Sequence, residues 1–212
     1  MYFMDTPTIK LIECPRDAMQ GWKTFIPTEK KVEYINSLLK VGFDTIDFGS
    51  FVSPRAIPQM ADTAQVLRNL DLGDSNSKLL AIVANLRGAE EASVNDVISY
   101  LGFPFSVSET FQQRNTNLSI QESLERVEEM QNICVKTGKK LVIYMSMGFG
   151  NPYDDPKTEF TRAWGGIADI MMGRGGDVAH WQRTMAAYLH AHADEWQAKY
   201  GFDVSQIPES RG

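Results

Sequence analysis

Apolar residues along the first two-thirds of the chain follow two alternating patterns. Short runs of branched and aromatic residues give way to longer stretches in which apolar positions recur every three or four residues. "TIKLIEC" (8–14) reads as a strand and "TEKKVEYINSLLKVG" (28–42) as a helix. In that helix Val32, Ile35, Leu38 and Leu39 mark one face, Thr28 is the N-cap candidate, Glu29 sits in the first turn, and Gly42 follows the end. "FDTIDFGSF" (43–51) is a second strand and "IPQMADTAQVLRNLD" (57–71) a second helix. "KLLAIVANL" (78–86) is nearly continuous in apolar residues, as a parallel strand covered on both faces should be. "GAEEASVND" (88–96) reads as a short helix and "VISYLGFPFS" (97–106) as a strand. In "SIQESLERVEEMQNICVKTG" (119–138), a long amphipathic helix, Ser119 and Glu122 make a capping box and Gly138 a C-cap. "KKLVIYMSMGFG" (139–150) is the fifth strand.

Strand and helix alternating five times predict right-handed βαβ units and a parallel sheet. An open doubly wound sheet and a (β/α)₈ barrel both satisfy that pattern. In either, function gathers at the carboxyl ends of the strands.

Past residue 151 the pattern changes. "NPYDDPKTEF" (151–160) is turn-rich, and the rest is helical in composition, interrupted by Gly165, Gly166, Gly173, Gly175 and Gly176. The chain therefore divides into a βα-repeat part, 1–156, and a mostly helical segment, 157–212. Five strands leave a sheet edge that must be covered or paired. The helical segment could cover it through Trp164, Ile167, Ile170 and Met171, or a second copy could pair with it as a homodimer.

Composition narrows the class. A net charge of −6 argues against a general nucleic-acid binder, which carries a basic patch. No apolar run approaches the ~20 residues a membrane span needs. Two cysteines, Cys14 and Cys134, make neither a disulfide framework nor a CxxC pair, so a reducing, cytoplasmic setting is expected.

The predicted strand ends carry the candidate chemistry. The first ends in Arg16 and Asp17, the second in Asp47, the third in Asn85 and the fifth in Ser146; the fourth offers Ser106, Ser108 and Glu109. Carboxylates, an amide and hydroxyls suit a hard divalent cation such as Mg²⁺ or Mn²⁺. An arginine beside them suits a developing enolate or alkoxide. Cys14 reads as a small residue closing a strand, and Cys134, in mid-helix, as core.

Five stretches together carry a family resemblance: "ECPRDAMQ", "FGSFVSPRAIPQMADTAQVL", "ANLRGAEEA", "NTNLSIQESLERVEEM" and "MSMGFGNPYDDP". Over roughly 8–156 the chain resembles the 3-hydroxy-3-methylglutaryl-CoA lyases, metal-dependent aldolase-like enzymes built on a TIM barrel; "SFVSPxxxPQM" is the most specific of the matches. The resemblance implies a TIM-barrel-like parallel βα repeat of about five units, Mg²⁺ or Mn²⁺, and cleavage of an acyl-CoA thioester to acetoacetate and acetyl-CoA. It casts Arg16 as the group that steadies the enolate, Asp17 as a metal ligand, and Gln20 as closing the same loop. Asp47 joins Arg16 and Gln20 as a catalytic candidate, standing where the family more often has an active-site glutamate, with the acid kept but one methylene shorter. Ser50 matches the loop after the second strand, Asn85 and Ser146 join it as substrate contacts, and Lys23 lies near the CoA region.

The family's His-x-His strand has one counterpart, His190 and His192. Residues i and i+2 share a face on a strand but lie ~200° apart on a helix, and the flanking sequence reads as helix. No glycine-rich loop with a catalytic cysteine is visible. Two further readings stay open: a catalytically impaired relative that binds acyl-CoA or a partner subunit, and another metal-dependent aldolase or synthase of the superfamily.

Overall fold

The computed structural model describes residues 9–148, with 151–153, 155, 167 and 170. Five strands form one sheet in the order β1-β2-β3-β4-β5: β1 (Ile12–Glu13), β2 (Thr45–Ser50), β3 (Lys78–Ile82), β4 (Ile98–Ser106) and β5 (Lys140–Ser146). The β1–β2, β2–β3 and β3–β4 pairs are parallel. Helices intervene: α1 (Pro15–Gln20), α2 (Thr28–Leu39), α3 (Thr63–Arg68), α4 (Leu86–Ser93), α5 (Glu109–Thr116) and α6 (Ile120–Thr137). Sequential strand order decides between the two architectures left open above. A doubly wound sheet reverses its order at a switch point, whereas a barrel winds in one direction. The described chain is five parallel βα units wound as in a TIM barrel.

The chain divides into two compact units, 1–104 with 133–143, and 105–132 with 144–212. In the first, all six residues of β2 are buried, and Leu79 to Ile82 of β3 are buried as well. Continuous apolar strands of this kind need cover on both faces, which is why the sequence runs "LLAIV" there without alternation. In the second, Ile120, Val127 and Met130 of α6 are fully buried at helical spacing. The α6 capping box is formed: the Ser119 amide donates to Glu122 Oε2 at 2.7 Å, and the Glu122 amide donates to Ser119 Oγ at 3.1 Å. The Ser119 amide, and with it the Ser119 hydroxyl donating to the same oxygen at 2.8 Å, holds the Glu122 carboxyl below its ordinary range.

Four expectations need correcting. The first strand is only two residues long, because Pro15 at the first helical position starts α1 at once. Arg16, Asp17 and Gln20 therefore sit on a helix and not in a loop. Thr28 does not cap α2: Pro27 holds the cap position, and the Thr28 hydroxyl donates to Asp62 at 2.8 Å. The second predicted helix breaks into a 3₁₀ turn, Pro58–Met60, and α3. Finally, α5 was not anticipated; Ser108 caps it by accepting from the Phe111 amide at 3.1 Å, and Asn117 ends it at φ 58.

Candidate functional site

Asp47 occupies the middle of β2, the most enclosed strand in the sheet. A carboxylate with no solvent exposure must be paired. Its partner is Arg16, thirty-one positions earlier. Arg16 Nη2 lies 2.6 Å from Asp47 Oδ2, and Nε lies 3.2 Å from both carboxylate oxygens. This two-nitrogen fork on a carboxylate is the geometry that arginine makes and lysine cannot. The register of β2 against β3 shifts between Asp47 and Gly49. Such an irregularity re-aims side chains at the end of a strand.

The same guanidinium serves α1. Nη1 donates to Asp17 Oδ1 at 2.9 Å and to Gln20 Oε1 at 3.0 Å, and Gln20 Nε2 donates to Asp17 Oδ1 at 3.0 Å. The spacing i, i+3 and i, i+4 puts these side chains on one helical face. Asp17, in the first turn, also opposes the positive end of the helix. Arg16 is 9% exposed, whereas the Asp17 side chain is 65% exposed. The arrangement is a guanidinium fixed on its inner side by a buried carboxylate and rimmed on its outer side by a carboxylate and an amide. Cys14 lies beside it. Burial first, then the charge of Asp47, pushes its thiol above the ordinary value, opposed by Arg16. That direction disfavours the thiolate, which is the nucleophilic form of the side chain.

The remaining predicted residues are placed as follows. Ser50 is buried; its amide donates to Thr63 Oγ1 at 3.1 Å, and its hydroxyl accepts from the Val52 amide at 3.2 Å. Asn85 caps α4, its Oδ1 accepting from the Gly88 amide at 2.9 Å. Ser146, in the second unit, accepts through its carbonyl from Ser106 Oγ at 3.2 Å and from the Val107 amide at 3.1 Å. Ser106 and Ser108 are fully buried in cap and turn contacts, and Glu109 accepts from the Ile120 amide at 3.0 Å. His190 and His192 lie outside the described residues, as do the glycines at 165, 166, 173, 175 and 176. Lys23 itself is exposed on the segment after α1.

Sequence reasoning missed Asp155. Its carboxylate accepts from the Ser108 hydroxyl, from the Thr110 amide at 3.0 Å and from the Thr110 hydroxyl at 2.7 Å. The Ser108 bond is the main cause that holds this carboxyl below its ordinary value. The signal was present in "YDDP" following a strand, opposite a Ser-x-Thr at a helix start.

A divalent cation finds one exposed carboxylate in this set, Asp17. Asp47 already has both oxygens on Arg16. Among the described residues no three His, Cys, Asp or Glu side chains converge. The described residues therefore do not make a complete cation site by themselves.

A buried arginine–carboxylate pair at the start of a sequentially wound parallel sheet places the chain in the class of βα-barrel-type proteins. The comparisons give that class a family. No protein-family model matches the chain. It is 34% identical over 147 residues to the cytoplasmic 3-hydroxy-3-methylglutaryl-CoA lyase of Rattus norvegicus, covering 69% of this chain and 42% of that protein. It is 36% identical over 149 residues to the mitochondrial hydroxymethylglutaryl-CoA lyase of Gallus gallus, covering 69% of this chain and 49% of that protein. The crystal structure of the Bacillus subtilis HMG-CoA lyase matches with a TM-score of 0.73 at 29% identity, covering 87% of this chain and 65% of that one. The chain is thus a homologue of the HMG-CoA lyases, which are carbon–carbon lyases, and it spans less than half the length of these two curated relatives.

Proposed function

We propose that the chain acts in hydroxymethylglutaryl-CoA-type cleavage, splitting a 3-hydroxy-acyl thioester into acetoacetate and acetyl-CoA. The observation that carries this reading is Arg16, held in place by Asp47, Asp17 and Gln20 in a homologue of these lyases. In such a cleavage a base takes the proton of the tertiary hydroxyl. The carbinol carbon becomes a ketone as the carbon–carbon bond breaks, and the bonding pair moves onto the thioester as an enolate. Protonation at carbon then gives the acetyl thioester. Negative charge develops on the enolate oxygen, and a cation fixed beforehand lowers that barrier without having to reorganise. Asp47 supplies the fixing: a bidentate carboxylate leaves the guanidinium plane one orientation.

The reading includes Mg²⁺ or Mn²⁺, with Asp17 as a ligand and the others drawn from beyond the described residues, His190 and His192 being the candidates. It takes Ser50, Asn85 and Ser146 as substrate contacts, a cytoplasmic setting, and a homodimer formed at the β1 edge, where Leu11 and Ile12 are 63% and 55% exposed. Light scattering of the purified protein tests the dimer. Acetoacetate release from hydroxymethylglutaryl-CoA, with Mg²⁺ or Mn²⁺ and then with EDTA, tests the reaction. Product that disappears with the chelator supports the proposal, and no product under any metal condition removes it. The alternative reading is a relative that binds acyl-CoA without cleaving it. That alternative predicts a rise in Tm on adding CoA and no turnover.

A further inference from the structure

The most specific stretch of the sequence, "SFVSPxxxPQM", has as its last residue but one a glutamine to which the site assigns no role. Gln59 lies in the 3₁₀ turn and is buried, with 4% of its surface exposed. Its side chain makes three hydrogen bonds, all to the main chain of the segment that follows α1. Nε2 donates to the Trp22 carbonyl at 3.1 Å and to the Thr24 carbonyl at 2.9 Å, and Oε1 accepts from the Ile26 amide at 2.8 Å. One side-chain amide thus ties three alternate residues of a segment that has no secondary structure of its own.

The glutamine is itself anchored. Its main-chain carbonyl accepts from Lys31 Nζ, a lysine only 2% exposed. Lys31 is paired with Asp62 at 2.6 Å and sits 4.1 Å from the centre of the Phe25 ring. Asp62 in turn holds the Thr28 hydroxyl. A buried ammonium persists only when paired, so the network fixes the turn, and the turn fixes the segment.

The object held is α1. This helix has six residues and no side-chain cap at its N-terminus. A helix that short does not persist without tertiary support. Its last contact before the clamped segment is the Trp22 amide, which donates to the Met19 carbonyl at 3.0 Å. Trp22 therefore closes α1 through its amide and is gripped by Gln59 through its carbonyl.

We propose that Gln59 is a positioning residue that holds the C-terminal end of α1, and with it the Arg16–Gln20 contact, in register with Asp47. The catalytic consequence rests on the proposed lyase reading; the positioning does not. The test uses the full chain with Gln59→Met, which removes all three bonds at similar volume, and Gln59→Glu, which keeps the acceptor for Ile26 and turns an anionic oxygen towards two carbonyls. Hydrogen exchange is followed by amide. In both variants the Trp22 amide is expected to exchange about tenfold faster or more than in the parent, and Ile26 likewise in Gln59→Met, while Leu80 and Ala81 of β3 change by less than about twofold. Unchanged exchange at Trp22, or an equal rise at β3, overturns the proposal, because the second pattern is general loosening.

A kinetic measurement separates the two claims. Where the parent turns over, Gln59→Met should lower kcat about tenfold with KM within about threefold, and should add little to Arg16→Gln, since both act through one guanidinium. A full further tenfold loss in the Arg16→Gln background overturns the positioning route. A parent without turnover counts against the lyase reading alone, and the exchange pattern then decides for or against the clamp.

Discussion

Arg16 and Asp47 are bound to each other's fate. Removing the arginine takes away a guanidinium paired at 2.6 Å with a carboxylate that has no access to water. Breaking one side of a buried pair costs about 3–5 kcal/mol, whereas replacing both partners with apolar groups of similar volume is often close to neutral. Arg16→Met should therefore destabilise more than Arg16→Met combined with Asp47→Leu, as read by denaturant midpoints. A double variant no more stable than the single one would contradict the pairing. The cysteines give a second check. Burial pushes the Cys134 thiol up to about 12 from its ordinary 9.0. The unfolded chain ionises first, so stability contributed by this group is full below pH 9.0 and is lost as pH rises towards about 12. Native protein at pH 8 should leave Cys134 unmodified by a thiol reagent and modify Cys14 slowly; fast reaction of both would contradict the burial. The sequence reveals Arg16 and Asp17 by their position after an apolar run. It does not reveal that Arg16 turns away from its neighbour's strand end to meet Asp47, because pairing across thirty-one positions is a property of strand register.

Single elements show why some boundaries are legible and others are not. The α6 capping box and Gly138, at φ 68, follow directly from residue type, because one hydroxyl, one carboxylate and one glycine each solve a local problem. Helix α5 eluded the apolar pattern because "ETFQQRNT" has almost no apolar face and is defined by its caps. Asp155 serves that helix start. Its folded carboxyl lies below the ordinary 3.8, so its stabilisation is present above that value and lost as pH falls through the lower one. Asp155→Asn should thus be less stable than the parent at pH 7, with the difference shrinking below pH 3.8; a gap that persists in acid would implicate something other than the charge. In α4, "ANLRGAEEA" needs its glycine. A Cβ on Gly88 would stand 2.5 Å from the Phe51 carbonyl oxygen, a main-chain atom that cannot swing aside. Overpacking of this kind costs about 1–3 kcal/mol, so Gly88→Ala should lower Tm despite alanine's better helix propensity. A rise in Tm would show that the loop after β2 yields easily.

At the scale of the whole molecule, strand alternation predicted the parallel βα repeat, and sequential strand order selected the barrel type of winding. That order cannot be read from periodicity, since both architectures share it. The strand-end principle singled out Arg16 and Asp47 as candidates, but the structure puts Arg16 on α1 and Asp47 inside β2 and not at its end. The buried fork between them, the clamp from Gln59 and the cap role of Asn85 all needed coordinates. Homology motivates the reaction type proposed for the chain, and the fixed guanidinium is the physical argument for that proposal. The most direct test compares acetoacetate release from hydroxymethylglutaryl-CoA by the parent and by Arg16→Gln at saturating Mg²⁺ or Mn²⁺. Loss of a preorganised donor to a developing oxyanion lowers kcat by about 10²–10³. The account predicts product from the parent and a fall of that size in the variant. Equal turnover by the two proteins would contradict it.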